Sequence, residues 1–535
     1  MRHYRPGPSD LRLFRAGIRT SVGADPRPTL RRGGGPVKRS RGILRDAASR
    51  TAMCGNPHAC LRVVRASTEA GTLTVVPTTR LGRRDAMTSA LALLVAVCTI
   101  GLSTLVWGTV AVGRLIAERR PAPGLLAPSM FFRPTEVAVL IAAHDEELVI
   151  ADAVAAARAL VPARNVFVVS DGSSDATVNR ARDAGATAWD LFPNRGKAGA
   201  IRAGLQRFRI PERFPLLLLL DADSRPRPDY LRTGLPLFTD PRVVAVAGRA
   251  TTAADTPATR IGRLLTSYRE RTYVSVQYLH KFGQAARSAD AVAIVPGFAS
   301  LYRTDVLDRI DIDAPGLSIE DFNMTFEVHA KRLGRIAFHP ECAIAETQDP
   351  DALRDYSAQM RRWGLGFWQT VRRHGIQRGL FWTSVGVFAI ETVLASVVLA
   401  AVIPALVLTA LAALAGSVLG GPVGSVADAA ASAVPVAQLL LAFLLVDTAT
   451  TVFVCTVGRV RPHPRMLLFP LLRIWDAVLC LRALWAALGR PSDGRWTSPD
   501  RRAASHVGRA PTPVASPLVP SGGSLAVQVG DELRT

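Results

Sequence analysis

Only six of the 535 residues are cysteine, and they are scattered: Cys54, Cys60, Cys98, Cys342, Cys455 and Cys480. So few and so spread, they build no disulfide framework, and nothing in them requires an oxidising compartment. Cys98, Cys455 and Cys480 sit in apolar stretches, where a thiol behaves as a small hydrophobe. Cys54, His58 and Cys60 look like half of a metal knuckle, but no second ligand pair follows. Charge is scarce as well, at 20% of residues, and acidic residues are the scarcer kind: 43 against 65 Lys and Arg, a net charge of +22. With 49% hydrophobic residues the chain is too apolar to be disordered throughout. A mean hydropathy of +0.20 over this length points to membrane segments added to a soluble part. The cationic excess is not in the body of the chain, because residues 1–85 alone carry 18 Lys and Arg against 5 Asp and Glu. A nucleic-acid-binding fold carries its charge in the folded domain, so this distribution argues against nucleic acid as a partner. There is no internal repeat.

What is present divides the chain. Between Asp85 and Arg114 no residue is charged, and Ala90–Val112 is almost wholly apolar. At ~1.5 Å per residue it crosses a ~30 Å hydrocarbon layer. It is too long for the apolar part of a signal peptide and runs on to Arg114, Arg119 and Arg120, so it reads as an anchor. From Val137 to about Arg335, short apolar runs (Val137–Ala142, Val166–Ser170, Leu216–Leu220, Val243–Ala247) alternate with helical stretches such as Val149–Leu160 and Ala198–Phe208. That alternation predicts an α/β domain with a mostly parallel sheet covered on both faces. After Arg378, Thr392–Ala415 and Pro435–Gly458 are long enough to span, the second interrupted by Asp447. Met466–Leu488 carries Arg473, Asp476 and Arg482, and is equally a span or an interfacial helix. The expected layout is a basic disordered leader (1–85), a transmembrane helix (86–113), a catalytic domain (134–378) that includes an amphipathic interfacial helix (354–373), two or three spanning or interfacial helices (380–488) and a disordered tail (489–535).

Open α/β sheets bind ligands beyond the carboxyl ends of their strands. Three predicted strands end in carboxylates: His144-Asp145-Glu146-Glu147 after the first, Asp171-Gly172-Ser173-Ser174-Asp175 after the second, and Asp221-Ala222-Asp223 after the third. Any one alone is as readily a turn or a helix N-cap. Together they make a site for a hard cation and a polar ligand. Two carboxylates one residue apart, leaving a buried strand, can share a divalent ion, Mg2+ or Mn2+, that neutralises a diphosphate. Asn194-Arg195-Gly196-Lys197 opens a helix and suits an anion, although it lacks the spacing of a Walker loop. Glu320-Asp321 could supply a base, or simply the acidic start of the helix Phe322–Arg332. Gln359-Met360-Arg361-Arg362-Trp363 lies in the amphipathic stretch before the spans, where Arg and Trp also serve as interface anchors.

The order of these elements, followed by spans, resembles the membrane-embedded family-two glycosyltransferases, among them the chitin-oligosaccharide, poly-N-acetylglucosamine, hyaluronan and cellulose synthases. The resemblance covers about Val137–Gly375. It implies a GT-A-type α/β domain flanked by transmembrane helices. It also implies that Asp171 binds uridine with Glu146 and Lys197 as neighbours of the nucleotide, that Asp221 and Asp223 are the nucleotide and metal ligands, and that Asp321 is the general base. Gln359, Arg362 and Trp363 match the QxxRW element that holds the diphosphate and the acceptor end of the glycan. Gly297-Phe298-Ala299-Ser300 falls where an acceptor loop is expected. The chain departs from the family at Asp145, where Asn is usual, and at Ile319, where Thr often precedes Glu-Asp.

The expected activity is an inverting transfer from a UDP-linked or other nucleotide sugar onto a growing β-linked polysaccharide of the poly-N-acetylglucosamine kind, at the plasma membrane. The rivals are a single addition to a lipid or small acceptor, and a non-catalytic membrane scaffold. The resemblance puts the catalytic domain in the cytosol, in agreement with Arg114, Arg119, Arg120 and Arg133 behind the first span. The leader's positive charge also favours the inside. Either it crosses regardless, as long segments do, or translation starts at Met87. Glu391 and Asp447 lie within or beside the spans, either lining a pathway or, as favoured for Glu391, sitting at a helix end and reaching water.

Overall fold

The computed structural model describes residues 101–118, 132–253, 257, 259–419, 421–433 and 436–489, with isolated residues before Gly101. The basic leader, Cys54, His58, Cys60, Met87, most of the first half of the proposed anchor, and the tail from Arg490 lie outside the described residues.

In chain order the elements are helix α1 (Leu102–Glu118), strand β1 (Val137–Ala143), α2 (Ile150–Arg158), β2 (Val166–Asp171), α3 (Thr177–Asp183), β3 (Thr187–Leu191), α4 (Gly196–Arg207), β4 (Leu216–Asp221), β5 (Ser224–Pro226), β6 (Val243–Ala247), β7 (Arg249–Thr252), α5 (Arg260–Val276), β8 (Ala299–Arg303), α6 (Glu320–Ala330), β9 (Arg335–Ala337), β10 (Ile344–Thr347) and α7 (Leu353–His374). Four more helices follow: α8 (Leu380–Leu419), α9 (Gly421–Ala433), α10 (Val436–Val457) and α11 (Phe469–Gly489).

Seven strands form one sheet in the order β3-β2-β1-β4-β8-β6-β9. All its pairings are parallel except those of β8, which runs antiparallel between β4 and β6. A small second sheet has the order β5-β10-β7. The apolar runs are continuous because the large sheet is buried on both faces. In β1, Ala138, Leu140 and Ala142 enter one core while Val137, Val139, Ile141 and Ala143 enter the other. Residues of β2 and β4 alternate in the same way, Phe167 and Val169 against Val166 and Val168, Leu217 and Leu219 against Leu216, Leu218 and Leu220.

The four strands expected from sequence are present, three of them with bounds extended by a single residue. Ser300 is a correction. It is not in a loop but in β8, fully buried, its Oγ donating to the Pro296 carbonyl at 2.7 Å and accepting from the Gly248 amide at 3.2 Å. The loop reading failed because a short strand covered on both faces has no alternating pattern to betray it.

Among the described residues two helices, Leu380–Leu419 and Gln438–Val457, are long and apolar enough to cross a membrane. α11 is not one of them. It packs on α7, where a Cβ on Gly364 would come within 2.9 Å of Ala483 Cβ and Arg372 Nη1 donates to the Ala487 carbonyl at 2.8 Å. The described part of the first expected span is the 17-residue helix α1, which follows Gly101 at φ +85°. Glu391 is a second correction. It lies inside α8 rather than at an end, and its Oε2 accepts the Ser103 amide at 2.9 Å, meeting one of the free N–H groups at the start of α1. Asp447 neither lines a pathway nor reaches water. It is 1% exposed inside α10, with Oδ1 at 2.6 Å from Arg271 Nη2 and 3.4 Å from Arg473 Nη1.

Candidate active site

The carboxyl ends of β1, β2 and β4 share one edge of the sheet. Ala143 pairs with Ser170 and Ala142 with Asp221, so Asp171 and Asp221 flank β1 on either side. Two strand spacings put their backbones about 10 Å apart. The loops after β1 and β2 interlock. The Glu146 amide donates to Thr177 Oγ1 at 2.8 Å and the Glu147 amide to Asp175 Oδ2 at 3.0 Å. Asp145 sits at φ +52°, a region that Asn and Asp enter most easily, and its Oδ1 accepts from the Ser174 amide at 2.7 Å. The position asks for a short side chain with an acceptor oxygen, which Asp meets as well as the usual Asn. Glu146 itself is buried.

Asp171 closes the floor of this edge. Its Oδ1 accepts from the Arg195 amide at 2.8 Å, while Oδ2 is buried with no hydrogen-bond partner among the described residues. Burial raises its pKa against the pull of the Arg195 and Gly196 amides. Gly172, at φ +68°, lets the Asn194 backbone pass so close that a Cβ would stand 3.2 Å from its nitrogen. Asn194-Arg195-Gly196-Lys197 thus wraps onto Asp171, and α4 starts there.

Lys197 joins the two halves of the site. Its Nζ lies 2.7 Å from Asp221 Oδ1 and 2.8 Å from Glu320 Oε1. Burial works against its charge, but the two carboxylates outweigh it and hold the ammonium. Burial likewise works against the Glu320 carboxylate, and Lys197 more than offsets it. Asp221 moves the other way, raised by burial and by the neighbouring Asp223 charge against the pull of Lys197. Asp223 is half-exposed two residues on, and Ser224 Oγ donates to its Oδ1 at 3.3 Å.

Asp321 sits in the first turn of α6, beside Glu320. Its Oδ1 accepts from the Phe322 amide at 2.7 Å and its Oδ2 from the Gly297 amide at 3.2 Å. Burial, and then the Glu320 charge, push its carboxyl up to about 6. Gly297 is needed for close approach, since a Cβ there would stand 3.0 Å from both Lys197 Nζ and Glu320 Oε1.

Gln359, Arg362 and Trp363 share one face of α7, being three and four residues apart. Gln359 Oε1 and Arg362 Nε are buried without hydrogen-bond partners among the described residues. The Arg362 charge helps to hold Glu320 ionised, which places it within electrostatic reach of the Lys197 cluster. Of the expected site residues, then, Glu146, Asp171, Lys197, Asp221, Asp223, Asp321 and Arg362 converge on the sheet edge. Ser300 does not. Gln359 and Trp363 ride on the same helix face as Arg362.

Sequence reasoning missed Glu320 as the partner of Lys197 and Gln369 as a support. Gln369 Oε1 accepts from the Ser318 amide at 2.9 Å, just ahead of the Glu320-Asp321 turn. A Cβ on Gly366 would come within 2.9 Å of Ile319, so α7 bears directly on that turn. The available signal was spacing, because Gly366 and Gln369 follow Arg362 by four and seven residues on one helical stripe.

Among the described residues no three His, Cys, Asp or Glu side chains are grouped to hold a metal ion by themselves. Asp223 offers the hard oxygen donors that Mg2+ and Mn2+ take, and a diphosphate would supply the rest of such a shell.

Residues 134–366 match the family model described as "Glycosyltransferase like family 2". This segment is a glycosyltransferase family 2-like domain. The enzyme is accordingly a nucleotide-sugar-dependent glycosyltransferase, and its α/β domain is GT-A-like. No curated protein matches the chain. Similar solved structures include the mannosyltransferase PcManGT of Pyrobaculum calidifontis in complex with GDP-Man and Mn2+, at 17% identity and TM-score 0.46 over 75% of this chain and 99% of that one. Glucosyl-3-phosphoglycerate synthase of Mycobacterium tuberculosis with Mn2+, UDP-glucose and phosphoglyceric acid is similar at 16% identity and TM-score 0.30, over 46% and 82%. Mannosyl-3-phosphoglycerate synthase of Rubrobacter xylanophilus is similar at 19% and 0.31, over 46% and 77%. At such distances the likenesses assign no substrate.

Proposed function

We propose that this glycosyltransferase transfers a sugar, with inversion, from a UDP-linked donor to a growing β-linked polysaccharide of the poly-N-acetylglucosamine kind, at the plasma membrane and with its catalytic domain in the cytosol. The observation that carries the reading is the cluster at the sheet edge, where Lys197 ties Asp221 to Glu320, the immediate neighbour of Asp321. This supports a site in which the elements proposed to bind the donor and to bear the base meet at one edge of the sheet. The buried, unpartnered Asp171 Oδ2 suits a ring N–H of the base, and the unpartnered Arg362 Nε suits a diphosphate oxygen. Gln359 and Trp363 would take the acceptor end.

In this mechanism Asp321 Oδ accepts the proton of the acceptor hydroxyl as its oxygen attacks the anomeric carbon. Arg362 stabilises the departing diphosphate. A divalent cation held by Asp223 would supply further charge stabilisation of that diphosphate. Attack from the face opposite the leaving group inverts the centre, so an α-linked donor gives a β-linked product. Membrane embedding through α8 and α10 is supported by their length and apolarity, and would let the product leave beside the site that makes it.

Incubating membranes that contain the full chain with a panel of nucleotide sugars, and sizing the products, tests this reading. The expected result is a ladder of long products from one UDP-sugar, abolished by EDTA and restored by Mn2+ or Mg2+. A single addition to lipid would replace processive synthesis by the rival transfer, and no turnover of any donor would overturn both.

The rate should also depend on pH through Asp321. Its carboxyl must be ionised to accept a proton, and burial holds its pKa near 6. Transfer should therefore be full above about pH 7 and fall tenfold per unit below about pH 6. A pH profile of kcat that stays flat down to pH 4.5 would remove Asp321 from the role.

A further inference from the structure

Arg269, in the middle of α5, is among the largest side chains buried completely, at 1% exposure. Its in-plane N–H groups are engaged on three sides: Nε donates to Asp349 Oδ1 at 3.2 Å, Nη2 to Tyr273 Oη at 2.8 Å and Nη1 to Met360 Sδ at 3.3 Å. Tyr273 Oη in turn donates to Asp349 Oδ1 at 3.0 Å. With its plane fixed in this way, the guanidinium lies 4.2 Å from the centroid of the Trp363 indole. Met360 and Trp363 are one turn apart on α7, so Arg269 grips the stripe that carries Gln359, Arg362 and Trp363. No other ring stacks on Trp363 among the described residues.

Stability alone does not account for this arrangement. An ion pair taken wholly out of water is at best about even with apolar side chains of the same volume. What apolar side chains cannot supply is a flat cation whose orientation is dictated by hydrogen bonds in its own plane. We propose that Arg269 is a positioning residue for the acceptor: clamped by Asp349 and Tyr273, it fixes the plane of the Trp363 indole and leaves the opposite ring face for a sugar of the acceptor. This rests on the reading of Trp363 as an acceptor contact.

The test uses the full chain in membranes, the nucleotide sugar it turns over, and a β-linked tetramer of that sugar as the acceptor probe. Arg269→Lys keeps the charge opposite Asp349 but loses the plane. It should raise the acceptor KM about tenfold, while the donor KM and the slow hydrolysis of donor by water stay within twofold. Trp363→Ala should raise the acceptor KM at least as much, and the double variant should be no worse than Trp363→Ala alone, as expected of two residues acting as a unit. Tyr273→Phe removes one in-plane partner at constant volume and should show a smaller rise in the same direction, which provides a reading even if Arg269→Lys fails to fold. An unchanged acceptor KM in Arg269→Lys and Tyr273→Phe, with Trp363→Ala impaired, overturns the clamp and leaves the acceptor reading standing. An unchanged acceptor KM in Trp363→Ala overturns both. Additive losses in the double variant overturn the coupling.

Discussion

Asp321→Asn is expected to lower the rate of transfer by about 10²–10⁴, the contribution a positioned general base makes, while the affinity for the nucleotide sugar changes by less than about threefold. The substitution is nearly isosteric. The Asn side-chain oxygen can still accept from the Phe322 amide, which Asp321 Oδ1 does at 2.7 Å. The amide nitrogen then replaces Oδ2 opposite the Gly297 N–H, which Oδ2 accepts at 3.2 Å. That local loss costs about 1–3 kcal/mol at most. It is offset in part, because removing the Asp321 charge also removes its repulsion with Glu320, one of the causes of its raised pKa. The variant should therefore fold and bind donor, and lose only the proton acceptor. Steady-state kinetics with a donor-binding assay separate the two. A variant that binds donor and transfers sugar at the unaltered rate would exclude Asp321 as the base. One that no longer binds donor would instead point to a collapse of the Lys197–Glu320 link.

Much of that cleft was legible from sequence because its parts are local. β1, β2 and β4 are buried on both faces, so Val137–Ala143, Val166–Val169 and Leu216–Leu220 announce themselves as unbroken apolar runs. A carboxylate follows each run within two residues, at Asp145, Asp171 and Asp221, and the parallel pairing brings those ends to one edge. Edge and short strands carry no such signal. β3 is half-exposed, with the mixed sequence Thr-Ala-Trp-Asp-Leu, and β5 and β9 have three residues each. Ser300 was misplaced for the related reason that Gly297-Phe298-Ala299-Ser300 shows no period of two. Pairings across distance were out of reach altogether. Nothing local marks Glu320 as the partner of Lys197, Glu391 as the acceptor for the start of α1, or Arg269 as the support of Trp363. Their meetings depend on the tertiary packing of α4 with α6, α1 with α8 and α5 with α7, which periodicity cannot report.

The same holds for Asp447, whose replacement should produce the largest loss of stability. Asp447→Leu leaves Arg271, 4% exposed, without its carboxylate at 2.6 Å. Removing one partner of a buried ion pair costs about 3–5 kcal/mol, because the remaining charge can neither be paired nor reach water. Arg271 Nη2 also donates to the Asp447 backbone carbonyl at 3.2 Å, which a side-chain change leaves in place and which keeps the loss toward the lower end. Arg473 would suffer less, since its side chain is 23% exposed and can turn to water. Because Arg271 belongs to α5 and Asp447 to α10, the break should loosen the helix from the catalytic domain before the seven-stranded sheet melts. Thermal unfolding of the purified full chain should show a lowered first transition, together with faster proteolysis between α9 and α11. The second arm of the test is Arg271→Met combined with Asp447→Leu. With both charges gone, the desolvation cost goes too, and the pair of apolar side chains should recover most of the lost stability. A double variant as unstable as Asp447→Leu would mean that the carboxylate acts on something other than Arg271. A single variant with unaltered unfolding would mean that α10 is held to the domain by its apolar contacts alone.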